Sequence, residues 1–200
     1  LSFDPGLTKT AHSAGDVRFN STELPLRDDS KNGWKDASMP GVNSQWLTPI
    51  LVAASQAESD TVIHITDEKM LEIPYINMTI GMLKETGVLV EHSDDYLEFR
   101  VKGRQKMKAT NFTIPADWGT SGYPMIATAI TNSKVTFYNL NTHDYAGERA
   151  FVDILERMGA SVEIRGNGVE GITVVGTDEL NGIEIDCSGT PDAVPILAVL

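Results

Sequence analysis

The stretch Ser44-Gln45-Trp46-Leu47-Thr48-Pro49-Ile50-Leu51-Val52-Ala53-Ala54 joins a polar start to a proline and a run of small apolar residues. Its second half returns as Pro124-Met125-Ile126-Ala127-Thr128-Ala129, and again as Pro195-Ile196-Leu197-Ala198-Val199-Leu200. A chain that echoes itself at such long intervals is built from one compact supersecondary unit used more than once. Each run reads as a buried helix with its proline in the first turn, where the missing N–H would be unpaired anyway.

Working outward, a second echo lies between the first three. Leu83-Lys84-Glu85-Thr86-Gly87 precedes Val90-Glu91, and Leu155-Glu156-Arg157-Met158-Gly159 precedes Val162-Glu163. Phe151, Ile154, Leu155 and Met158 fall at i, i+3, i+4 and i+7, which is one apolar helical stripe, and Gly159 provides a left-handed stop. Ile76, Thr79, Ile80 and Leu83 form a weaker stripe ending at Gly87. Thr61–Ile65 and Val135–Tyr138 read as short strands between the two helices of each unit. Leu89–Glu91 with Leu97–Val101, and Val162–Ile164 with Ile172–Val175, close the units as strand pairs; Leu97, Phe99 and Val101 alternate with polar neighbours. The unit is helix–strand–helix–strand–strand. A further strand is expected at Ile183–Ile185, and the sequence ends as the third helix begins, which suggests part of a longer polypeptide. Residues 1–36, with Pro5-Gly6 and Asp28-Asp29-Ser30-Lys31-Asn32-Gly33, read as irregular connecting chain.

Composition limits what this fold can do. The 200 residues carry 16 Lys and Arg against 28 Asp and Glu, a net charge of −12. Nucleic-acid binding rests on clustered bases that neutralise phosphates, so it is not expected, and neither is an anionic membrane surface. The single Cys187 excludes an internal disulfide or a cysteine-based zinc site. No basic-then-apolar leader and no long apolar span is seen, so the expectation is a soluble protein of the cytoplasm.

Candidate chemistry lies in the polar loops before the three proline-bearing helices, each preceded by a strand-like segment. These are Gly41-Val42-Asn43-Ser44-Gln45, Ala116-Asp117-Trp118-Gly119-Thr120-Ser121-Gly122 and Asp186-Cys187-Ser188-Gly189-Thr190-Pro191-Asp192. Unpaired N–H groups and the positive end of a helix dipole suit an anion there, although Asn, Ser and Asp before a helix are also ordinary caps. Asp186 and Asp192 would repel an anion but can take a proton from a hydroxyl. Other features are set aside. Gly166-Asn167-Gly168-Val169-Glu170-Gly171 has the spacing of a dinucleotide loop but runs into a strand, so it reads as a hairpin turn. His12, His64, His92 and His143 lack metal-ligand spacing, and Asp94-Asp95 reads as a solvated turn.

Four segments together resemble the EPSP synthase family of enolpyruvyl transferases. Ser44 to Ala54 is similar to that family's "SSQ(F/Y)L(S/T)ALLMAAP", and Pro74-Tyr75-Ile76-Asn77-Met78-Thr79 with Met82-Leu83 and Gly87-Val88 to "PYI(D/E)MTLxMMxxFGV". Gly147-Glu148-Arg149-Ala150-Phe151 through Ala160 resembles "GDxxFxxILExMGA". Ile185-Asp186 with Thr190 to Val199 resembles "IDxxxxPDxxPTLAVLA". The order is collinear from about Leu26 to Leu200. The resemblance implies an inside-out two-lobe α/β fold of repeated βαβαββ units with a ligand cleft between lobes. On it, residues 1–113 are the last part of one lobe and 114–200 the first part of the other. It also implies transfer of the enolpyruvyl group of phosphoenolpyruvate to a hydroxyl of 3-phosphoshikimate in aromatic amino-acid biosynthesis. That reaction passes through a tetrahedral intermediate, releases phosphate and needs no metal or organic cofactor.

Carried over residue by residue, the resemblance makes Asn43 and Ser44 contacts for the acceptor's phosphate. Gln45 reaches between acceptor and phosphoenolpyruvate, Tyr75 lies on the acceptor side, and Asp117 stands at the lobe crossing. Asp192 becomes the base for the acceptor hydroxyl. The cationic groups for phosphoenolpyruvate lie in family segments outside this sequence, so the remainder of the polypeptide is needed to complete the site. The chain departs from the family in three places. Asn43-Ser44 replaces a pair of serines, Glu72 stands where the family has a phosphate-contacting serine, and Trp118 is bulky where the family's "GDASSAS" segment is small. A carboxylate aimed at a phosphate is repulsive unless it turns away or the acceptor lacks that phosphate. Alternatives are therefore a related enolpyruvyl transferase with a different acceptor, for which the UDP-N-acetylglucosamine enzyme's contexts fit less well, and a non-catalytic homologue.

Overall fold

Parallel pairing of two short strands lays out the first part of the computed structural model, which describes residues 34–200. Strand β1 (Lys35–Met39) runs alongside β2 (Thr61–Ile65), with Lys35 opposite Thr61 and Met39 opposite Ile65. A parallel pair cannot be joined by a tight turn, and helix α1 (Ser44–Gln56) makes the crossover. Helix α2 (Ile73–Glu85) follows β2, then β3 (Val90–His92) and β4 (Glu98–Val101). The sheet order is β1-β2-β4-β3, with β4 antiparallel to both of its neighbours.

Alternation decides which face is covered. In β2, Thr61, Ile63 and Ile65 are buried while Val62 and His64 are not. Met39, Ile63, Phe99 and Val101 from the sheet pack with Leu47 and Leu51 of α1 and Ile76 and Leu83 of α2. Gly87 (φ +85°) ends α2 in the left-handed region, as expected of a C-terminal stop.

The described residues divide into two compact units, one up to Thr110 and one of Asn111–Leu200. The second contains α3 (Trp118–Ile130), β5 (Lys134–Phe137), a 3₁₀ turn at Gly147–Ala150 running into α4 (Phe151–Met158), β6 (Ser161–Arg165), β7 (Gly171–Val175) and α5 (Val194–Leu197). Its antiparallel sheet is ordered β5-β7-β6, which repeats β2-β4-β3 of the first unit. The expected stripe of Phe151, Ile154, Leu155 and Met158 is buried, and Gly159 (φ +108°) closes α4. The glycine-spaced segment Gly166–Gly171 joins antiparallel β6 and β7, so it is a hairpin connection. The repeated unit of helix, strand, helix and strand pair is therefore present twice.

Four expectations need correction. Pro49 and Pro124 do not stand in first turns, because the helices begin earlier, at Ser44 and Trp118, where side chains cap them. A proline inside a helix forfeits the bond to the carbonyl four residues back. Here those carbonyls belong to Gln45 and Thr120, both exposed residues open to solvent. Lys35 and Asp36 are not irregular: they form the start of β1 because β2 offers them a parallel partner, while residues 1–33 lie outside the described ones. Ile183–Ile185 is not a strand. By analogy with β1, a strand there needs a β2-like partner, and among the described residues none pairs with it. The strand-like segment before the second loop likewise forms no ladder; the Ala116 N–H donates to the Asn139 carbonyl (2.8 Å) and the Asn139 amide to the Ile114 carbonyl (3.3 Å).

In the second unit the helices α3 and α4 pack closely at Gly122. A methyl group added to Gly122 of α3 would overlap the Phe151 ring of α4, which is itself 1% exposed. Gly122→Ala is expected to destabilise the protein by about 1–3 kcal/mol despite the better helix propensity of alanine, because neither the ring nor the helix can yield cheaply. A urea-unfolding midpoint at or above that of the unsubstituted protein would show that the contact is not tight.

Candidate functional site

Both helices of the first unit begin at the same edge of the sheet. Strands β1 and β2 are parallel, and each is followed by a loop and a helix, so the starts of α1 and α2 come together at the strands' C-terminal ends. The loop after β1 is held closely. The Gly41 N–H donates to Asp67 Oδ2 (2.9 Å), and its carbonyl accepts from the Leu71 N–H (2.8 Å). A Cβ at Gly41 would lie 2.5 Å from the Lys69 carbonyl oxygen, so only glycine fits this approach.

The first-turn N–H groups of α1 have no partner within the helix and need acceptors from elsewhere. Asn43 caps it, its Oδ1 accepting from the Gln45 N–H at 2.6 Å. The Ser44 N–H and the Ser44 hydroxyl both donate to one oxygen of Glu72, Oε2, at 2.8 and 2.6 Å. Glu72 is the residue immediately before α2, and its backbone is left-handed (φ 57°, ψ 33°). For a residue with a Cβ that conformation costs on the order of 1 kcal/mol, and it is held here by the two charge-assisted bonds. Ser44 is 5% exposed, so the contact is not a surface accident. One turn further on, the Thr48 and Thr79 hydroxyls meet at 2.8 Å and tie the same two helices together.

The sequence candidates of this unit thus fall together. Asn43, Ser44 and Gln45 form the start of α1, with Gln45 exposed; Glu72 precedes α2, and Tyr75 stands in its first turn, half-buried. The arrangement offers amide, hydroxyl and carboxylate groups at one edge. The anion seat at Ser44, however, is filled by the chain's own carboxylate.

In the second unit Asp117 caps α3. Its carboxylate accepts from the Gly119 N–H (3.0 Å), the Thr120 N–H (3.2 Å) and the Thr120 hydroxyl. The Thr120 hydroxyl is the main reason its pKa lies below the usual carboxylate value; burial works against it, and the Thr120 and Gly119 N–H groups add to the lowering. Trp118, bulky where the family segment is small, is core: it is 1% exposed, with its indole N–H on the Asn141 carbonyl at 3.1 Å. Asp192 is exposed in the 3₁₀ turn Pro191–Ala193 that leads into α5. Asp186 Oδ1 accepts from the Ser188 N–H (2.8 Å).

One acid was not among the candidates. Glu148 is 5% exposed, and its Cγ lies 4.0 Å from where a Cβ on Gly119 would stand, beside the start of α3. It occupies the acidic position of the segment that resembles "GDxxF", which was the available signal. Among the described residues, no group of three or more His, Cys, Asp or Glu stands where it could hold a metal ion. Among them also, no helix is long and apolar enough to cross a membrane.

Comparison with known proteins follows the same line. The family model described as EPSP synthase (3-phosphoshikimate 1-carboxyvinyltransferase) matches residues 16–200. The 3-phosphoshikimate 1-carboxyvinyltransferase of Methanococcus maripaludis is 34% identical over 161 residues, covering 80% of this chain and 37% of the relative. That of Acetivibrio thermocellus is 35% identical over 180 residues, covering 90% of this chain and 41% of the relative. The chain thus spans well under half the length of these relatives. The solved structure of EPSP synthase from Acinetobacter baumannii superposes with a TM-score of 0.57 at 23% identity, over 81% of this chain and 36% of that one. This likeness shows a shared fold.

Asp117 gives a pH test of the helix start. Its folded pKa is lowered, so the stability it contributes is complete above the unfolded value and is lost as pH falls through the folded one. Asp117→Ala is expected to cost about 1 kcal/mol near neutrality. The gap should close as the pH falls through and below the ordinary carboxylate range. A gap that persists unchanged in acid would mean that the cap's charge contributes nothing.

Proposed function

The chain belongs to the EPSP synthase family, and on that premise we propose that the complete protein transfers the carboxyvinyl group of phosphoenolpyruvate to a hydroxyl of 3-phosphoshikimate, releasing phosphate. The acceptor is the one carried in the relatives' names, and the setting we infer is small-molecule biosynthesis in the cytoplasm. The observation that supports the reading most is the meeting of Asn43, Ser44, Gln45, Glu72 and Tyr75 at the paired starts of α1 and α2.

In the proposed reaction the acceptor oxygen bonds to the phosphate-bearing carbon of phosphoenolpyruvate while the methylene carbon gains a proton. The tetrahedral adduct then loses that proton equivalent and the phosphate, leaving an enol ether. Asp192 takes the hydroxyl proton in the first step, a role suited to an exposed carboxylate facing an alcohol. Asn43 and Gln45 orient the acceptor by hydrogen bonds, Tyr75 borders it, and Asp117 fixes the start of α3. A second reading keeps the chemistry and changes the acceptor; the Glu72 carboxylate on Ser44, where a phosphate would otherwise be held, favours it.

Phosphate release from phosphoenolpyruvate, measured with 3-phosphoshikimate and with shikimate, tests the reading in the complete protein. Turnover is expected with at least one of them, and Asp192→Asn should lower kcat by about a hundredfold or more with little change in acceptor binding. No phosphate release with either would point to a homologue without this activity, and an unimpaired Asp192→Asn would remove that residue from the chemistry.

A further inference from the structure

We infer that Asn181 is a self-modifying site: with water as the only co-reactant, its side-chain amide is lost to attack by the Gly182 backbone nitrogen, and the acid left behind unfastens the segment between β7 and α5 from the end of α4. The site is independent of the reaction proposed above.

The chemistry is a ring closure. The deprotonated Gly182 nitrogen attacks Asn181 Cγ, and the new C–N bond closes a cyclic imide. The Cγ–Nδ2 bond breaks, and the proton given up by Gly182 ends on the nitrogen that leaves as ammonia. Water then opens the imide at either carbonyl, giving aspartate, or isoaspartate with its backbone rerouted through Cβ and Cγ. A glycine after the asparagine is the favourable case, because without a Cβ its nitrogen is open to approach and its backbone can turn.

Two Asn-Gly pairs lie among the described residues, and their surroundings differ. At Asn181-Gly182 both residues are exposed, in chain without regular structure. The Gly182 N–H donates to no other described residue, and nothing stands within 4 Å of where a Cβ on Gly182 would be. The nitrogen is therefore available and the peptide has room to rotate. At Asn167-Gly168 the glycine is buried, and a Cβ there would lie 2.2 Å from the Leu140 carbonyl oxygen. The Asn167 carbonyl, part of the peptide that would have to turn, accepts from the Thr142 N–H (2.9 Å) and hydroxyl (3.2 Å). The same dipeptide is open in one place and clamped in the other.

Asn181 is also a fastening. Its N–H donates to the Met158 carbonyl at 2.8 Å, and its Nδ2 to the same oxygen at 3.4 Å. Met158 is the last residue of α4, where carbonyls unpaired within the helix carry the negative end of its dipole. An ionised acid has no side-chain donor for that oxygen and brings charge of the wrong sign to it. The next tie, from Arg157 Nη2 to the Glu184 carbonyl (3.2 Å), lies beyond the rerouted bond of an isoaspartate.

Peptide mapping by mass spectrometry tests the site in the complete protein, incubated at mildly alkaline pH both folded and in urea, with Asn167 as the internal standard. In the folded protein, conversion at Asn181 is expected to outpace that at Asn167 by about tenfold or more. The two rates should converge in urea, where only the shared dipeptide remains. Gly182→Ala, which the open space accommodates, should slow conversion at Asn181 while leaving thermal unfolding unchanged. Asn181→Asp, a stand-in for one product, should lower the unfolding midpoint by about 1–4 °C, and by more than Asn181→Ala does. Folded rates that match at the two sites, or a difference that survives in urea, overturn the self-modification. An Asn181→Asp chain no less stable than Asn181→Ala overturns the unfastening.

Discussion

A helix start leaves several N–H groups without partners, and in this chain the need to satisfy them at α1 organises the candidate site. The parallel pairing of β1 with β2 brings two helix starts to one edge of a sheet. Once they are adjacent, a side chain at the start of one can serve the first turn of the other. Glu72 does this for Ser44, and Asn43 takes the next N–H. The consequence is electrostatic. A position that geometry alone would make attractive to anions is neutralised from within the protein. Asp117 does the same for α3 within its own unit, so in both units the long proline-bearing helix starts on a carboxylate that belongs to the chain.

Much of the fold was legible because it rests on periodicity. The buried stripe of α4 and the alternation in β4 follow directly from which residues are apolar, and Gly87 and Gly159 suit helix ends because glycine takes the left-handed stop without a Cβ penalty. Helix beginnings are not marked by the apolar runs, which start near Pro49 and Pro124, because the physical start is set by the caps Asn43 and Asp117 several residues earlier. Strand limits at Lys35 and at Ile183–Ile185 depend on whether a partner strand exists, which no local pattern reveals.

The candidate site was legible in its members and not in its bonding. Asn43, Ser44, Gln45, Glu72 and Tyr75 could be named from motifs, yet nothing in the sequence says which way Glu72 points, since that depends on a left-handed backbone at one residue. Trp118 shows the opposite error. Read along the chain, it sits in a polar loop; in space it fills the core of its unit, with its N–H satisfied by Asn141. Of the two departures that bear on the acceptor, Glu72 therefore keeps its weight and Trp118 loses it. Glu148 was hidden because burial of an acid is invisible until its neighbours are placed.

The account depends on a real energetic link between Ser44 and Glu72. A double-mutant cycle on unfolding free energy, with Ser44→Ala, Glu72→Gln and the pair, measures that link without reference to any ligand. A favourable coupling of about 1 kcal/mol is expected for a partly buried hydroxyl bonded to a carboxylate. Strict additivity of the two substitutions would mean that the two side chains do not hold each other, and the seat at α1 would then be open to an outside anion.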